Sequence, residues 1–472
     1  MDAILRRWRR TSASDRTRAP RSLISAAVLL IAAALTLAGC GGAAMPAAAP
    51  TRTPHPPLVI PTRLTASERE EIFNTVWQTV NDEYFDPTFG GMDWRAIGDK
   101  YRQKLSAVTD DNGFWLDVLN PMLWELGASH AGALPPELAT QLEPMTFATG
   151  SLGVDVRPID GIAVVTAVVG GSPADQAGIR PGFVITSVDG WTLEDISAWS
   201  KQSPPYNERH ERAAPIQELR SRLYGERGKE VVVEYLDADD QPQQVSLTYV
   251  NRTGLACSEL DPSTPPACAE LEVRRLEGGI GYIRFSGFLE GILDGVLQAL
   301  DDLRDAPGLI IDLRGNPGGV YHVRETIASH LVGTREVFII YQYRGYREAA
   351  ILDEVPDPYP GKVVILVDEL SASSSEEFAG SLQALGRATI VGTQTAGSCL
   401  TANIVPLPEG GLLIYPNSQS QTPDGRVLEY NGVAPDITVT LDRQELLQGT
   451  DAQLNAAVGF LTERAGRIAG VR

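Results

Sequence analysis

Cysteine and histidine are scarce in this chain of 472 residues, which holds four of the first and five of the second. No second cysteine pair or suitably spaced histidine accompanies Cys257 and Cys268, so those two do not read as a zinc site. The glycine-rich stretch Arg314-Gly315-Asn316-Pro317-Gly318-Gly319 lacks both the spaced Gly-x-Gly-x-x-Gly pattern and the Walker lysine, which argues against a nucleotide enzyme. Asp312 and Asp368 end apolar runs, but no convincing third ligand joins them as a metal set, and both equally fit strand-end turns. No metal or other cofactor is expected. Basic residues are outnumbered, 40 Lys and Arg against 60 Asp and Glu, which argues against a nucleic-acid-binding surface. The apolar run Leu23 to Leu37 falls short of the roughly 20 residues that a bilayer-spanning helix needs.

That run is nevertheless informative. It follows Arg6, Arg7, Arg9, Arg10, Arg16, Arg18 and Arg21 and ends in Leu37-Ala38-Gly39-Cys40. A basic start, an apolar middle and small residues before a cysteine mark an export signal and resemble a bacterial lipoprotein signal, with Cys40 as the lipid-bearing residue after cleavage. Residues 1–40 are then a signal peptide. Residues 41–63, rich in Gly, Ala, Pro and Thr, form a tether that includes His55. This resemblance implies a bacterial cell-envelope protein, anchored to the membrane through Cys40, with its folded part outside the cytoplasm. Export permits a disulfide between Cys257 and Cys268, which flank the polar stretch SELDPSTPPA. Cys399 is left over and reads as an ordinary partly buried thiol.

Beyond the tether the pattern changes three times. Residues 64–147 carry Ile72, Phe73, Val76 and Val80 at helical spacing, then Trp94, Tyr101 and Leu123-Trp124-Glu125-Leu126, and predict an N-terminal helical region. Residues 148–252 hold short β-like runs separated by Gly, Pro and Asp, with helical segments at 173–177 and 215–223. Leu152-Gly153-Val154, Ser172-Pro173-Ala174-Asp175-Gln176-Ala177-Gly178-Ile179 and Gly182-Phe183-Val184-Ile185 with Val188-Asp189-Gly190 resemble the PDZ family, which implies recognition of a polypeptide by strand addition and of its C-terminal carboxylate by loop amides. Residues 253–276 form an insertion. From 277 to 472 strands and helices alternate: 280–285, a helix near 292–304, 309–313, a helix near 321–332, 363–367, and a helix over 374–387. The expected fold is α/β, a layered core with the helical region before it and the PDZ-like β-rich domain inserted.

Two segments carry the chemistry. The serines of Ser371-Ala372-Ser373-Ser374-Ser375-Glu376 stand where a strand ends and a helix begins, where unsatisfied helix N–H groups favour developing negative charge. Ser373 and Glu376 also make an S-x-x-E capping box, which needs no catalysis. The Arg314–Gly319 stretch suits either a tight turn or a loop that aims N–H groups into a cavity. His130, after Gly127-Ala128-Ser129, reads from its position alone as a residue near a helix end.

Asp312-Leu313-Arg314-Gly315-Asn316-Pro317-Gly318-Gly319, the serine motif, and Glu429-Tyr430-Asn431-Gly432-Val433-Ala434-Pro435-Asp436 occur in that order. Together with the PDZ-like insertion they resemble the C-terminal processing, or tail-specific, serine proteases and the related core of tricorn protease, over about residues 64–445. The resemblance places the nucleophile on Ser373 and the oxyanion donors on the amides of Ser374 and of Gly318 or Gly319, with Gly318 favoured. The processing proteases follow a Gly-x-x-Thr-x-Gly turn with a catalytic lysine. Here Gly392-Thr393-Gln394-Thr395-Ala396-Gly397 is followed by Ser398, which excludes a Ser–Lys dyad at this site. In the tricorn-like branch the base is a histidine, and Leu123 to His130 is similar to the segment that carries it. That implies His130 as general base, Ser129 assisting it, and Glu429 as the acidic partner. His322, close to the glycine loop, is the rival base; His210 and His330 read as surface or packing residues. The expected activity is hydrolysis of a polypeptide through an acyl-serine. The alternatives are an inactive, lipid-anchored peptide-binding scaffold, or an esterase with a small acyl pocket.

Overall fold

The computed structural model describes residues 60–136, 148–200, 207–258 and 267–469; the basic leader, Cys40, His55 and nearly all of the tether lie outside the described residues. Helix α1 (Ala66–Glu83) opens with a capping box between Thr65 and Glu68 and buries Ile72, Phe73, Val76 and Val80 as the spacing predicts. Helix α2 (Trp94–Leu105) starts at an Asp93 cap. A π-helical turn, Phe114–Leu119, leads into α3 (Asn120–Trp124). Buried Asn120 then pins the following chain, accepting from Ala133 N–H at 2.8 Å and donating to Ala133 O at 2.9 Å. Helix α3 stops six residues short of His130, so that residue does not sit on a helix end. Gly127 and His130 instead turn the chain, at φ +60° and +59°, into strand β1 (Gly132–Leu134).

The inserted domain is a sheet in the order β2-β3-β4-β5-β6, comprising β2 (Val154–Ile159), β3 (Ile162–Val168), β4 (Val184–Val188), β5 (Glu230–Leu236) and β6 (Pro242–Thr248). Ser172 caps the short helix Pro173–Gln176. A longer helix, α4 (Glu208–Ser221), lies between β4 and β5 and carries Pro215 within it. Its Ile216 and Leu219 join Val156, Val165, Ile185 and Val233 in one apolar core.

The remaining chain runs β7 (Leu255–Ser258), β8 (Ala267–Arg275), β9 (Gly281–Phe285), α5 (Glu290–Asp302), β10 (Gly308–Asp312), α6 (Tyr321–Val332), β11 (Val337–Tyr343), β12 (Tyr346–Ile351), β13 (Lys362–Val367), α7 (Ser374–Ala384), β14 (Ala388–Gly392), β15 (Leu400–Pro406), β16 (Leu412–Gln421), β17 (Ile437–Thr438) and α8 (Ala452–Ala469). Seven strands form the main sheet in the order β7-β8-β9-β10-β13-β14-β17, parallel from β9 onward. Its central strands β10 and β13 read as unbroken apolar runs because both faces are covered. Leu309, Ile311 and Ile365 face the layer of α5, α6 and α7, whereas Ile310, Val364 and Leu366 face α8. Cys257 and Cys268 stand opposite each other on β7 and β8 and are joined as a disulfide. The layered α/β core, the N-terminal helices and the PDZ-like insertion are thus all present.

A second sheet, which sequence periodicity did not reveal, is ordered β1-β16-β11-β12, with β15 also pairing β16. It brings β1 of the helical region against β16, Gly132 opposite Ile414, so the N-terminal region is built into the core.

A buried ionic latch joins the inserted domain to the core. Arg157 on β2 donates to Asp155 at 2.6 Å and to Arg314 O at 2.7 Å, and pairs with Asp368 at 2.6 Å. Arg220 on α4 donates to Asp155 at 2.7 Å and to Gly315 O at 3.0 Å. Arg157, Arg220 and Arg284 together hold the Asp155 carboxyl well below its ordinary range despite its burial. Asp312 in turn is held by Arg314, which donates to it at 2.6 Å, and by Tyr282 Oη at 2.8 Å, so both aspartates weighed as metal ligands are committed to protein partners. Arg157→Ala should cost about 3–5 kcal/mol of unfolding free energy in urea titration, because Asp155 and Asp368 stay buried with less compensation. Arg157→Lys should recover only part of it, since an ammonium cannot span two carboxylates and a carbonyl as the planar fork does.

Candidate active site

The parallel strands β10 and β13 deliver two loops side by side at their C-terminal ends, where ligands of such sheets bind. The loop after β13 turns sharply into α7 at Ser373, which has φ +53° and ψ −120°. A residue with a β-carbon seldom takes this backbone, and its presence marks a site where the surroundings enforce it. Neighbouring serines supply that enforcement: Ser371 Oγ donates to Leu313 O (2.8 Å), Ser374 Oγ to Gly319 O (2.8 Å) and Ser375 Oγ to Asn316 O (2.9 Å). Three of the clustered hydroxyls therefore rivet the serine turn to the glycine loop.

Glu376 completes the capping pair by accepting from Ser373 N–H at 3.1 Å. It also accepts from Thr395 Oγ1 (2.6 Å), Gly397 N–H (2.7 Å) and Ser398 N–H (2.9 Å). Burial pushes its carboxyl up to about 7 against the pull of these donors. Sequence reading gave Glu376 only a capping role; the structure shows it fastening the 395–398 segment to the serine turn. Ser398 stands there with its C=O accepting from Ser373 N–H at 2.9 Å.

The glycine loop approaches closely. A β-carbon on Gly318 would lie 2.8 Å from Ser374 N and 2.9 Å from Ser373 Cβ, so no larger residue fits. The expectation that favoured the Gly318 amide as oxyanion donor is corrected: its N–H is spent on Asn316 Oδ1 at 2.9 Å. Among the described residues, the amides of Gly319 and Ser374 donate to no protein acceptor, and both residues line a cavity with Ser373. Asn316, buried and also donating to Phe285 O at 2.9 Å, is what consumes the Gly318 donor.

On the far side of the 398–400 segment, His130 Nδ1 lies 2.8 Å from Ser129 Oγ, and Ser129 Oγ donates to Glu429 at 2.9 Å. Glu429 also accepts from Ser129 N–H (2.9 Å) and Cys399 N–H (2.7 Å). Ser129 has one hydroxyl hydrogen, given to Glu429, so its bond to the ring requires the hydrogen on Nδ1. That tautomer leaves Nε2 with a free lone pair. Burial lowers the His130 pKa to about 4 and raises that of Glu429 to about 7, keeping the imidazole neutral at physiological pH. No hydrogen bond joins Ser373 to His130; both are tied to the intervening segment, which also bonds through Leu400 N–H to Ser129 Oγ at 3.5 Å. The rival His322 has its Nε2 against a Glu290 carboxylate oxygen, and His330 Nδ1 is 2.9 Å from Thr326 O. Cys399 is buried, and burial raises its thiol well above the ordinary value, so it is no thiolate nucleophile.

Residues 279–439 match peptidase family S41, residues 65–124 the tricorn protease C1 domain, and residues 164–201 a PDZ domain. A carboxyl-terminal-processing protease of Synechocystis sp. is 28% identical over 414 residues, covering 85% of this chain and 89% of the relative. The chloroplastic C-terminal processing peptidase of Tetradesmus obliquus is 26% identical over 390 residues, covering 80% and 78% respectively. The solved photosystem II D1 C-terminal processing protease shares the fold, with a TM-score of 0.55 and 24% identity over 83% of this chain and 99% of its own. Fold and matched domains define a serine peptidase with an inserted PDZ domain. The chain carries a peptidase S41 domain, and it is similar over most of its length to proteins named as C-terminal processing proteases.

Glu376→Gln leaves one oxygen to serve four donors and turns an NH2 group toward N–H groups. It should lower the unfolding free energy by about 2–4 kcal/mol, and reaction of Ser373 with a serine-directed probe should fall by at least about tenfold at a temperature where the variant is folded.

Proposed function

We propose that this protein is an endopeptidase in which His130, oriented by Ser129 and Glu429, activates Ser373. The observation that carries the reading is the continuous hydrogen-bonded series from Glu429 through Ser129 to the His130 ring, on the same segment that holds the strained Ser373. His130 Nε2 takes the Ser373 proton as Oγ attacks the substrate carbonyl, with the two closing to hydrogen-bond distance when polypeptide enters. The Gly319 and Ser374 amides receive the oxyanion. The C–N bond then breaks, the imidazolium returns its proton to the leaving amine, and water, deprotonated by the same ring, releases the acyl group. Ser398 has no basic group to do this work, and the placement of its carbonyl against the Ser373 amide supports a histidine acting from the other side. This arrangement corresponds to the tricorn-like branch of the family. The inactive-scaffold and small-ester alternatives have no support from the family matches.

In this reading the PDZ domain admits or recognises a polypeptide C-terminus, in keeping with relatives named for carboxyl-terminal processing. The protein is exported and held at a bacterial membrane by lipidated Cys40. The leader pattern and the disulfide support that placement, since disulfides persist in oxidising compartments.

The pH profile tests the mechanism. Glu429 must be ionised to fix the Ser129 hydroxyl, and burial puts its pKa at about 7; His130 must be neutral, and burial keeps it so down to about 4. Peptide hydrolysis should therefore decline below about pH 7 as Glu429 takes a proton. In Glu429→Gln that limb should vanish, leaving a lower plateau that persists toward pH 5. A Ser–Lys enzyme would instead lose activity below an alkaline pKa and ignore the substitution.

A further inference from the structure

Beside Ser373 lies a cavity of about 480 Å³, within the range that holds whole small ligands. A methyl side chain would leave most of it empty. Gly319 and Ser374, whose amides would hold the carbonyl oxygen, form its edge with Ser373. The substituent on the attacked carbonyl is thereby directed into it.

Its walls have a particular chemistry. Tyr321, Tyr343 and Tyr346 present aromatic surface, and the rings of Tyr343 and Tyr346 stack at 4.7 Å between centroids. The one guanidinium of the lining, Arg324, is 1% exposed: it pairs with Glu377, and with Glu325 at 2.9 Å, and donates to Tyr341 Oη at 2.8 Å, while its Nε is buried with no hydrogen-bond partner among the described residues. An acidic side chain would have to displace one of these partners. A further carboxylate, Glu348, is exposed on β12 and has no ion pair among the described residues. The cavity thus carries three carboxylates against one arginine, on aromatic walls.

Resting on the proposed Ser373 chemistry, we infer that this cavity is a specificity pocket for a long cationic side chain, arginine or lysine, on the residue whose carbonyl is attacked. The aliphatic stem lies along the tyrosines, the charge interacts with their faces, and Glu348 meets it at the mouth.

Peptidyl diphenyl phosphonates that differ only in this residue test the assignment, because inactivation needs only the activated serine. A non-peptidic fluorophosphonate reports the serine independently. Arginine and lysine should inactivate at least about tenfold faster than norleucine, which matches their bulk without charge, and faster still than alanine or glutamate. Glu348→Gln, shown to be folded by a wild-type melting temperature, should shrink the arginine-to-norleucine ratio to less than about threefold. Norleucine, phenylalanine or alanine matching arginine, or a ratio untouched by Glu348→Gln, with fluorophosphonate labelling intact, overturns the pocket assignment alone. Loss of fluorophosphonate labelling overturns the catalytic reading and the assignment with it.

Discussion

Glu429 is a carboxylate with 1% exposure that accepts from Ser129 N–H, Ser129 Oγ and Cys399 N–H. No arginine or lysine pairs with it among the described residues, so these donors alone offset its desolvation. Two of them lie 300 positions away in sequence. This one group therefore holds the N-terminal helical region to the C-terminal part of the core, selects the tautomer of His130, and fixes the segment on which Ser373 leans. Loss of any donor would leave a buried charge short of partners, which explains why the geometry around it is so heavily specified.

Glu376 plays the matching part on the other side of the same segment. Its four hydrogen bonds hold the Thr395–Ser398 stretch against the serine turn. The position after Gly397 is here a serine whose carbonyl accepts from Ser373 N–H. His130, the base in the proposed mechanism, is tuned by burial toward its neutral form.

What could be read in the sequence was what local chemistry encodes. The apolar runs 309–313 and 363–367 gave parallel strands because burial on both faces leaves an uninterrupted signal, and S-x-x-E marked the start of α7. Ser129, His130 and Glu429 were legible only through motif resemblance, since nothing in their own neighbourhoods forecasts contacts across hundreds of residues. The second sheet escaped because β1 is three residues long and its partners lie far along the chain. The choice between Gly318 and Gly319 turned on where Asn316 points its side chain, a rotamer that spacing does not record. Tyr343, Tyr346 and Glu348 drew no reading from the sequence, and only the fold sets them beside Ser373.

The central claim is that Ser373 is a nucleophile made reactive by His130. Its most direct measurement is the rate at which a fluorophosphonate labels the soluble protein lacking residues 1–40, with the modified peptide mapped, beside folded Ser373→Ala and His130→Ala variants. Labelling on Ser373, absent from the first variant and slowed at least about a hundredfold in the second, is the predicted result. Labelling of Ser373 at an undiminished rate without His130, or attachment to another serine, would contradict it.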